Sequence, residues 1–518
     1  MSCLTCRNCG FVNLVPLEPQ LQNITAIHSS DSVVSQILRG SRSLLDSDCA
    51  LLNAEIVKLD WLRSLYTAQL QEIEWHRRSV LKALVNRQSV YAPIRRLPRD
   101  ILIEIFHSVC DSWWSKTLGE DWSDRPQHHS LDVSGPLWVL GRVCGLWRDT
   151  LHTSPASWAR NVVLKSPLSK YAPKILQTYL ERTGEHPLSM WIVFYKDALI
   201  DDMISILIQS CYRWKNVRIC TSPPHAHRLE AISCFPALQT IEISILNDYN
   251  RFDYHSDMCL KAPQLWQAIV PRQGIHRVRL PPSITHYSGR FTCREDLKHL
   301  SQLPNLRVCH ISHILPDSIG APVVMSQLYH LYVNDVDILN LLTAPKLTGL
   351  TMNHRRVLRP PPVLEDVAHF LRRSGCHLES LSMGRGIFGS TVLISEILSL
   401  EACSTISRLT FQASERLVDV GLALTSSVLP NLHHLILYVS LPSKDRWSVI
   451  LGMVRYRRDR GMLKMVELQF ADKGCILNWS RIREDEIITD IRALAGDNLE
   501  VRVEKWNPQG REHLVHFY

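Results

Sequence analysis

Apolar residues recur every seven positions from Leu45 to Leu84, and this spacing predicts one long helix. Two neighbouring rows share the repeat: Leu45, Leu52, Leu59, Tyr66, Ile73 and Val80 in the first, and Cys49, Ile56, Leu70 and Leu84 in the second. Arg63 and Arg77 also fall in the second row, where a parallel dimer would bury them at a high cost. We therefore expect residues 41–90 to form a heptad helix that packs on its own chain or associates with itself, but not as a stable parallel dimer.

A second helical pattern begins at Pro98, which suits the first turn of a helix because its missing N–H is not needed there. Asp100 lies in the same turn, where the helix dipole favours negative charge. Two apolar stripes follow on either side of a polar insertion at residues 111–136: Ile101, Leu102, Ile105, Phe106 and Val109, then Leu140, Val143, Cys144, Trp147 and Leu151. The pattern predicts two short amphipathic helices.

Beyond Trp158 the pattern changes to short strands of the form L-x-x-L-x-L. Ten instances begin at Trp214, Leu238, Ile275, Leu306, Leu328, Leu347, Leu378, Ile406, Leu432 and Leu463. Helical stretches such as Val363–Arg373 lie between them, and a repeat of about 20 to 30 residues is typical of solenoids. We expect residues 166–518 to form an α/β solenoid that resembles a degenerate leucine-rich repeat, following a mostly α-helical N-terminal part.

Composition and charge narrow the possible functions. The chain has 518 residues, 45% of them hydrophobic and 21% charged, as in ordinary globular proteins. A net charge of +8 is small for this length, so nucleic-acid binding is not predicted. No apolar stretch approaches the roughly 20 residues of a membrane span, and no secretory signal is evident. Fifteen scattered cysteines indicate reduced thiols in the cytoplasm or nucleus.

Residues 1–40 show no sustained period, and we expect a flexible N-terminal arm. Within it, Cys3, Cys6 and Cys9 followed by Gly10 resemble half of a zinc knuckle. Zinc needs four ligands, and the next cysteine is Cys49. A free thiol cluster is therefore the favoured interpretation, and no metal site is predicted.

The residues around the second helical pattern resemble the F-box. The match runs through three motifs in the expected order: Leu97-Pro98-x-x-Ile101-Leu102-x-x-Ile105-Phe106, Val143-Cys144-x-x-Trp147-Arg148 and Pro155-x-x-Trp158. Asp100 stands where glutamate is usual, and the insertion at 111–136 stretches the middle of the box. The preceding heptad helix resembles in particular a large group of fungal F-box proteins. The resemblance covers about residues 92–160 and assigns 91–165 to the box.

This resemblance implies a non-catalytic subunit of an SCF-type cullin-RING ubiquitin ligase, without a cofactor of its own. The box would bind an Skp-type adaptor, and through it a cullin, by Leu97, Pro98, Ile101, Leu102, Ile105, Phe106, Val143, Cys144, Trp147 and Trp158. The repeats would hold an unknown protein target near a ubiquitin-loaded enzyme, so that catalysis follows from proximity. The sequence leaves open which box residues face the adaptor and which face the box interior.

We expect the target to bind the side chains that point outward from the strands. The candidate target-binding residues are Arg307, His310, Tyr332, Glu379, Arg408 and His433. Their mixture of charge and aromatic character, without a dominant sign, suits a protein or peptide better than a phosphate backbone.

Gly384-Arg-Gly386-Ile-Phe-Gly389 has the spacing of a dinucleotide-binding loop between a strand and a helix. The acidic ribose ligand expected about twenty residues later is missing, so no nucleotide is predicted. The basic run from Arg455 to Arg460, ended by Gly461, is interpreted as a helix C-terminus with its glycine cap.

A second class of function remains open. In this alternative the chain is a scaffolding solenoid, and the box-like helices only cover the end of the repeats. Binding of an adaptor would separate the two interpretations.

Overall fold

The computed structural model describes residues 2–5, 12–15, 31–115, 129–195, 199–246, 255–312, 321–353, 364–384, 391–413, 417–425, 428–439, 444–471, 489–490, 492–496 and 499–506. The chain divides into two compact units, Met1–Leu97 and Pro98–Tyr518. The first unit contains the heptad helix, and the second contains the box helices together with a large sheet.

The first unit contains two short strands and a short helix before the heptad helix. Strands β1 (Ser2–Thr5) and β2 (Val12–Val15) pair antiparallel, and helix α1 (Asp31–Leu38) follows. Part of residues 1–40 therefore forms regular elements, and the expectation that this region is flexible stays a prediction. Cys3 lies in β1, whereas Cys6 and Cys9 fall outside the described residues.

The heptad pattern forms a single helix, α2 (Asp46–Val90), of 45 residues. At 1.5 Å per residue it is about 67 Å long. The Asp48 carboxylate stabilises its start, because it accepts hydrogen bonds from the Leu45 N–H (3.3 Å) and from Arg42 Nη2 (2.9 Å). Leu70 and Ile73 of the two heptad rows are exposed on this helix. The expectation that the helix does not form a stable parallel dimer stays a prediction.

Within the described residues, the part of the second unit that resembles the F-box forms four helices: α3 (Arg99–Ser115), α4 (Pro136–Val143), α5 (Gly145–His152) and α6 (Pro155–Ala159). Helix α3 contacts both α4 and α5. The expectation of two helices is wrong in two respects. Helix α3 continues past the start of the insertion at residue 111, and extended backbone at Cys144 (φ −161°, ψ 171°) divides the second stripe into α4 and α5.

In the part of the chain that the structure describes, fourteen strands form one parallel sheet in which spatial neighbours follow chain order. They are β3 (Val162–Lys165), β4 (Leu188–Val193), β5 (Trp214–Thr221), β6 (Thr240–Ile245), β7 (Gln267–Val270), β8 (His286–Gly289), β9 (Val308–Ile311), β11 (His330–Val333), β13 (Gly349–Met352), β14 (Ser380–Met383), β15 (Arg408–Ala413), β16 (His434–Val439), β17 (Met465–Ala471) and β18 (Glu500–Trp506). Short strands β10 (Val323–Val324) and β12 (Leu342–Thr343) pair separately.

Helices connect many of these strands: α7 (Ala172–Arg182), α8 (Ile200–Gln209), α9 (Pro223–Glu230), α10 (Arg294–Ser301), α11 (Leu364–Ser374), α12 (Thr391–Leu398), α13 (Leu417–Leu424) and α14 (Lys444–Asp459). Consecutive helices contact one another from α7 to α9 and from α11 to α14. Leu331, Leu350, Leu381, Leu409 and Leu435 align in register across five strands and are all buried. Such leucine rows form the core. None of the described helices has the length and apolar character needed to cross a bilayer.

The leucine pattern located nine of its ten strands. At Ile275 the prediction is wrong, because the chain forms a 3-10 helix (Ile275–Arg277) there. The pattern also missed five strands of the sheet, β3, β4, β7, β8 and β18. In β8 the buried side is made by Tyr287 and Gly289, and a Cβ at Gly289 would overlap the Tyr287 hydroxyl. A large residue and a glycine replace two leucines, so the motif disappears although the strand remains.

Candidate functional site

An apolar stripe lies exposed on helix α3. Ile101, Ile105 and Val109 are 44%, 36% and 42% exposed, and their spacing of four residues places them on one face of the helix. Helix α4, which contacts α3, exposes Val139 and Val143. We call these five residues together with the exposed Pro98 the box surface. Apolar surface gathered on adjoining helices is typical of a site that a partner covers.

The same helices bury another part of the predicted adaptor site. Leu102 and Phe106 are fully buried and Trp158 is 1% exposed. The Phe106 ring lies 5.0 Å from that of Trp147, which is half-buried. The sequence left open which of the candidate adaptor-binding residues face the interior, and the structure places Leu102, Phe106 and Trp158 there. These three side chains are therefore not available for direct contact with an adaptor.

Two further predicted residues lie at helix boundaries. Leu97 is half-buried in the first unit, directly after the 3-10 helix Pro93–Arg96. Cys144 is half-buried at the break between α4 and α5.

Val109 and Val139 are the exposed residues of the box surface that the F-box motifs did not single out. The signal that finds Val109 is its spacing of four and eight residues from Ile105 and Ile101.

An aromatic cluster joins the box to the start of the sheet. The rings of Trp158 and Tyr179 lie 5.2 Å apart, and the Trp138 ring lies 5.4 Å from that of Trp158. The Arg182 guanidinium lies 4.6 Å and 4.7 Å from the two tryptophan rings, within the range of cation–π attraction. The box therefore shares its interior with helix α7.

A hydrogen bond between serine and histidine ties α3 to α6 without forming a catalytic triad. His107 Nε2 lies 2.9 Å from Ser157 Oγ, which also bonds to Ser154 Oγ. Glu104 Oε1 is 4.0 Å from His107 Nδ1, too far to orient the ring. Ser157 is buried, so we interpret the contact as a packing interaction.

The strands of the sheet present a row of mainly polar side chains on one side. Ser288, His310, Tyr332, Thr351, Ser382 and Thr410 follow one another in register. A parallel row two residues earlier contains His286, Val308, His330, Gly349, Ser380 and Arg408. We call the side of the sheet that carries both rows the polar face.

Most of the predicted target-binding residues are accessible on these strands. Arg307, Glu379, Arg408 and His433 are exposed, and Tyr332 is half-buried. His310 is only 4% exposed, because its ring lies 4.8 Å from the Tyr332 ring and its Nδ1 lies 2.9 Å from Ser288 Oγ. The expectation that His310 points outward to a target is therefore corrected.

His276, Cys293 and Asp296 form the one group of potential metal ligands within the described residues. The Asp296 carboxylate accepts hydrogen bonds from the N–H groups of His276 (2.9 Å), Thr292 (2.7 Å) and Cys293 (3.1 Å). His276 Nδ1 lies 2.8 Å from Asp296 and 3.3 Å from Cys293 Sγ. In a thiol–histidine–carboxylate relay, one ring nitrogen contacts the thiol and the other contacts the carboxylate. Both contacts of His276 involve Nδ1, so these three residues are not arranged as such a relay.

The protonation states agree with a structural role for this cluster. Burial, together with the nearby carboxylates of Glu295 and Asp296, raises the pKa of the Cys293 thiol, so the thiol is a poor nucleophile. Burial alone would raise the pKa of Asp296. The hydrogen bonds from His276 and Thr292 and the charge of His276 outweigh that effect, and the pKa lies below its ordinary value.

Replacing Asp296→Asn is expected to destabilise the second unit by about 2–4 kcal/mol at pH 7, because charge-assisted hydrogen bonds to buried N–H groups are lost. A lowered folded-state pKa stabilises the native state above the unfolded pKa, and this contribution disappears as pH falls through the folded pKa. The difference between variant and wild type should therefore shrink from pH 6 towards pH 3, as measured by thermal unfolding. Glu295→Gln, in the same turn but exposed, is the control. A constant difference across this range would contradict the role of the charge.

The glycine-rich motif lies mostly outside the described residues. Gly384 follows β14, and its N–H donates to the Met352 carbonyl (2.7 Å), as an extension of the sheet. Gly386 and Gly389 are among the residues not described.

Comparison with protein-family models and with curated proteins finds no match for this chain. The resemblance to the F-box therefore rests on the three sequence motifs.

Proposed function

We propose that the protein is the substrate-recruiting F-box subunit of an SCF-type cullin-RING ubiquitin ligase. The observation that carries this proposal is the box surface. Ile101, Ile105 and Val143 belong to the F-box motifs, and they are exposed, while Leu102 and Phe106 of the same motifs are buried. Motif residues that fill the interior support the box fold, and motif residues left exposed support docking of an Skp-type adaptor.

We propose further that the sheet and its helices form a leucine-rich-repeat-like solenoid. Apart from the short strands β10 and β12, which pair separately, strand order along the sheet follows the chain, as expected of stacked repeats. In this arrangement the box stands at the β3 end of the repeats, and the polar face offers a long surface to a target. The chain itself catalyses no covalent step. It accelerates ubiquitin transfer by raising the local concentration of the target.

The scaffolding alternative has its own support. Ser130, just before α4, exchanges hydrogen bonds with Val163 of the edge strand β3: its N–H donates to the Val163 carbonyl (2.7 Å), and its Oγ accepts from the Val163 N–H (2.9 Å). Together with the aromatic cluster, these contacts cover the end of the sheet, as a terminal cap does. Capping accounts for the buried residues of the box but gives no reason for the exposed stripe on α3.

Direct binding tests the proposal. The full chain is mixed with a purified Skp-type adaptor, and the products are separated by size-exclusion chromatography with light scattering. We expect a one-to-one complex that persists at concentrations of about 1 µM, and that recruits a cullin when one is added. The capping interpretation predicts that the two proteins elute separately at all concentrations.

A further inference from the structure

Five adjacent strands of the polar face are rich in histidine and contain no acidic residue. They are β8, β9, β11, β13 and β14, with the sequences HYSG, VCHI, HLYV, GLTM and SLSM. Three histidines, His286, His310 and His330, lie on the polar face of the first three strands. We call the polar face of these five strands, together with Arg307 at the start of β9, the histidine band.

The side chains of the band are held in place by contacts along the sheet. The His286 ring packs edge-on against Trp266 with its centroid 5.0 Å away, and its Nδ1 lies 2.8 Å from Thr285 Oγ1. The exposed His330 lies across Gly349, where a Cβ would overlap its Nδ1. Glycine on β13 therefore leaves room for an imidazole that extends from β11 over its neighbour.

Among the described residues, basic side chains adjoin the band at both strand ends. The exposed Arg307 directly precedes β9 and the exposed Arg290 directly follows β8, whereas the carboxylates nearby in the chain are those of Glu379, before β14, and Asp335, two residues after β11. The acidic residues further along the polar face have basic neighbours of their own. Glu242 on β6 lies 3.1 Å from Arg218, and Glu467 on β17 lies 3.4 Å from His434.

The pKa values of two of the histidines lie below their ordinary value. Burial lowers the pKa of His286, and the nearby His330 and Arg307 lower it further. His330 is exposed at its surface, but the partial desolvation of its ring among neighbouring strands also lowers its pKa, although the Glu379 carboxylate acts in the opposite direction. Negative charge placed over the band would favour protonation of both rings, because it would offset the mutual repulsion of His286, His330 and Arg307.

We infer that the histidine band binds an extended acidic peptide segment, with Arg307 as its fixed cation and His286 and His330 as cations formed on binding. The inference rests on the proposed function only in taking that segment to belong to a ubiquitination target. Neighbouring strands are about 4.8 Å apart, so the four gaps between five strands span about 19 Å, the length of about six extended residues. The half-buried Tyr332 lies in the middle of this span and offers an aromatic contact.

The test uses the full chain and a fluorescein-labelled decaaspartate, whose carboxylates stay ionised down to pH 5.5. We expect saturable binding by fluorescence anisotropy at pH 6, and none to decaasparagine. Arg307→Glu should weaken binding about tenfold or more, since an attraction becomes a repulsion. Lys464→Glu is the matched control, because Lys464 precedes β17 as Arg307 precedes β9, outside the band.

The pH dependence tests the histidines. A ligand that raises the pKa of a group binds more tightly as pH falls, so affinity for decaaspartate should rise about tenfold from pH 7.5 to pH 5.5. His286→Gln with His330→Gln should abolish most of this rise. Circular dichroism checks that the variant is folded, and Arg307→Gln provides an independent test if it is not.

Three results would overturn the inference: no binding of decaaspartate, equal weakening by Lys464→Glu, or preferential binding of a ten-nucleotide polyuridine, which would assign the band to a phosphate backbone. Adaptor binding is measured separately on the same preparation. Peptide binding without adaptor binding would remove the ubiquitin-ligase function and leave the acidic-peptide site, and the reverse would remove only the inference.

Discussion

Replacing Ile101→Glu together with Ile105→Glu is expected to abolish capture of an Skp-type adaptor while the protein stays folded. Both side chains are exposed on one face of α3, so a carboxylate at either position meets water in the free protein and apolar surface in the complex. Loss of a central apolar anchor costs about 2 kcal/mol or more of binding free energy, so the two substitutions should lower the affinity at least about a hundredfold. The measurement is adaptor affinity by calorimetry or by pull-down at defined concentrations.

Two further variants give this experiment its controls. Val392→Glu places the same charge at an exposed aliphatic position on helix α12, and it should bind the adaptor like the wild type. Leu102→Ala removes a fully buried side chain next to Ile101, so it should lower the thermal stability of the box. If the double glutamate variant is folded and still binds the adaptor with unchanged affinity, the box surface is not the docking site.

Replacing Arg457→Ala is expected to destabilise the region around α14 by about 3 kcal/mol or more. Arg457 is 1% exposed, and it donates to three backbone carbonyls, from Nε to Leu424 (2.8 Å), from Nη1 to Leu429 (3.1 Å) and from Nη2 to Val428 (2.7 Å). Leu429 has a φ of 53°, a left-handed conformation that costs a residue with a Cβ atom about 1–2 kcal/mol. Without the guanidinium, buried carbonyls lose their donor and the strained turn loses its support.

Hydrogen exchange is the appropriate readout, because it resolves a local change around α14 from changes elsewhere in the chain. Protection should fall in α14 and in strands β16 and β17, and remain unchanged in α3. Arg455→Ala, exposed on the same helix, should change stability by less than about 0.5 kcal/mol. Arg457→Lys should be intermediate, since one ammonium replaces a planar group with several donors. Equal protection in the Arg457→Ala variant and the wild type would contradict this role.

The basic run around Arg457 illustrates how far a local pattern extends. The sequence predicts a helix C-terminus closed by glycine, and this is confirmed, because Gly461 has a φ of 68° after α14. Gly375, with a φ of 59°, follows α11 in the same way. These features depend on a few consecutive residues. That Arg457 turns inward to carbonyls about thirty residues earlier in the chain, while Arg455 is exposed, depends on the segment packed against α14.

By itself the sequence determined the elements whose cause is local. The seven-residue spacing predicted one helix over residues 41–90, and the structure shows it over Asp46–Val90. The leucine spacing predicted ten strands, of which nine lie in the sheet. Both patterns are local, because they arise where one side of a regular element is apolar. Strands β7 and β8 were missed because their core residues are not leucines.

Only the tertiary structure decided which side chains are available for binding. Helix α3 carries apolar residues at positions 101, 102, 105, 106 and 109. This apolar arc is wider than the part of the helix that α4 and α5 cover. Their packing therefore divides the five residues into a buried set and an exposed set. In the same way, pairing of β8, β9 and β11 brings His286 and His330 over one surface although 44 residues separate them in the chain. Periodicity describes one element at a time, whereas a binding surface is defined by the neighbours that cover part of it.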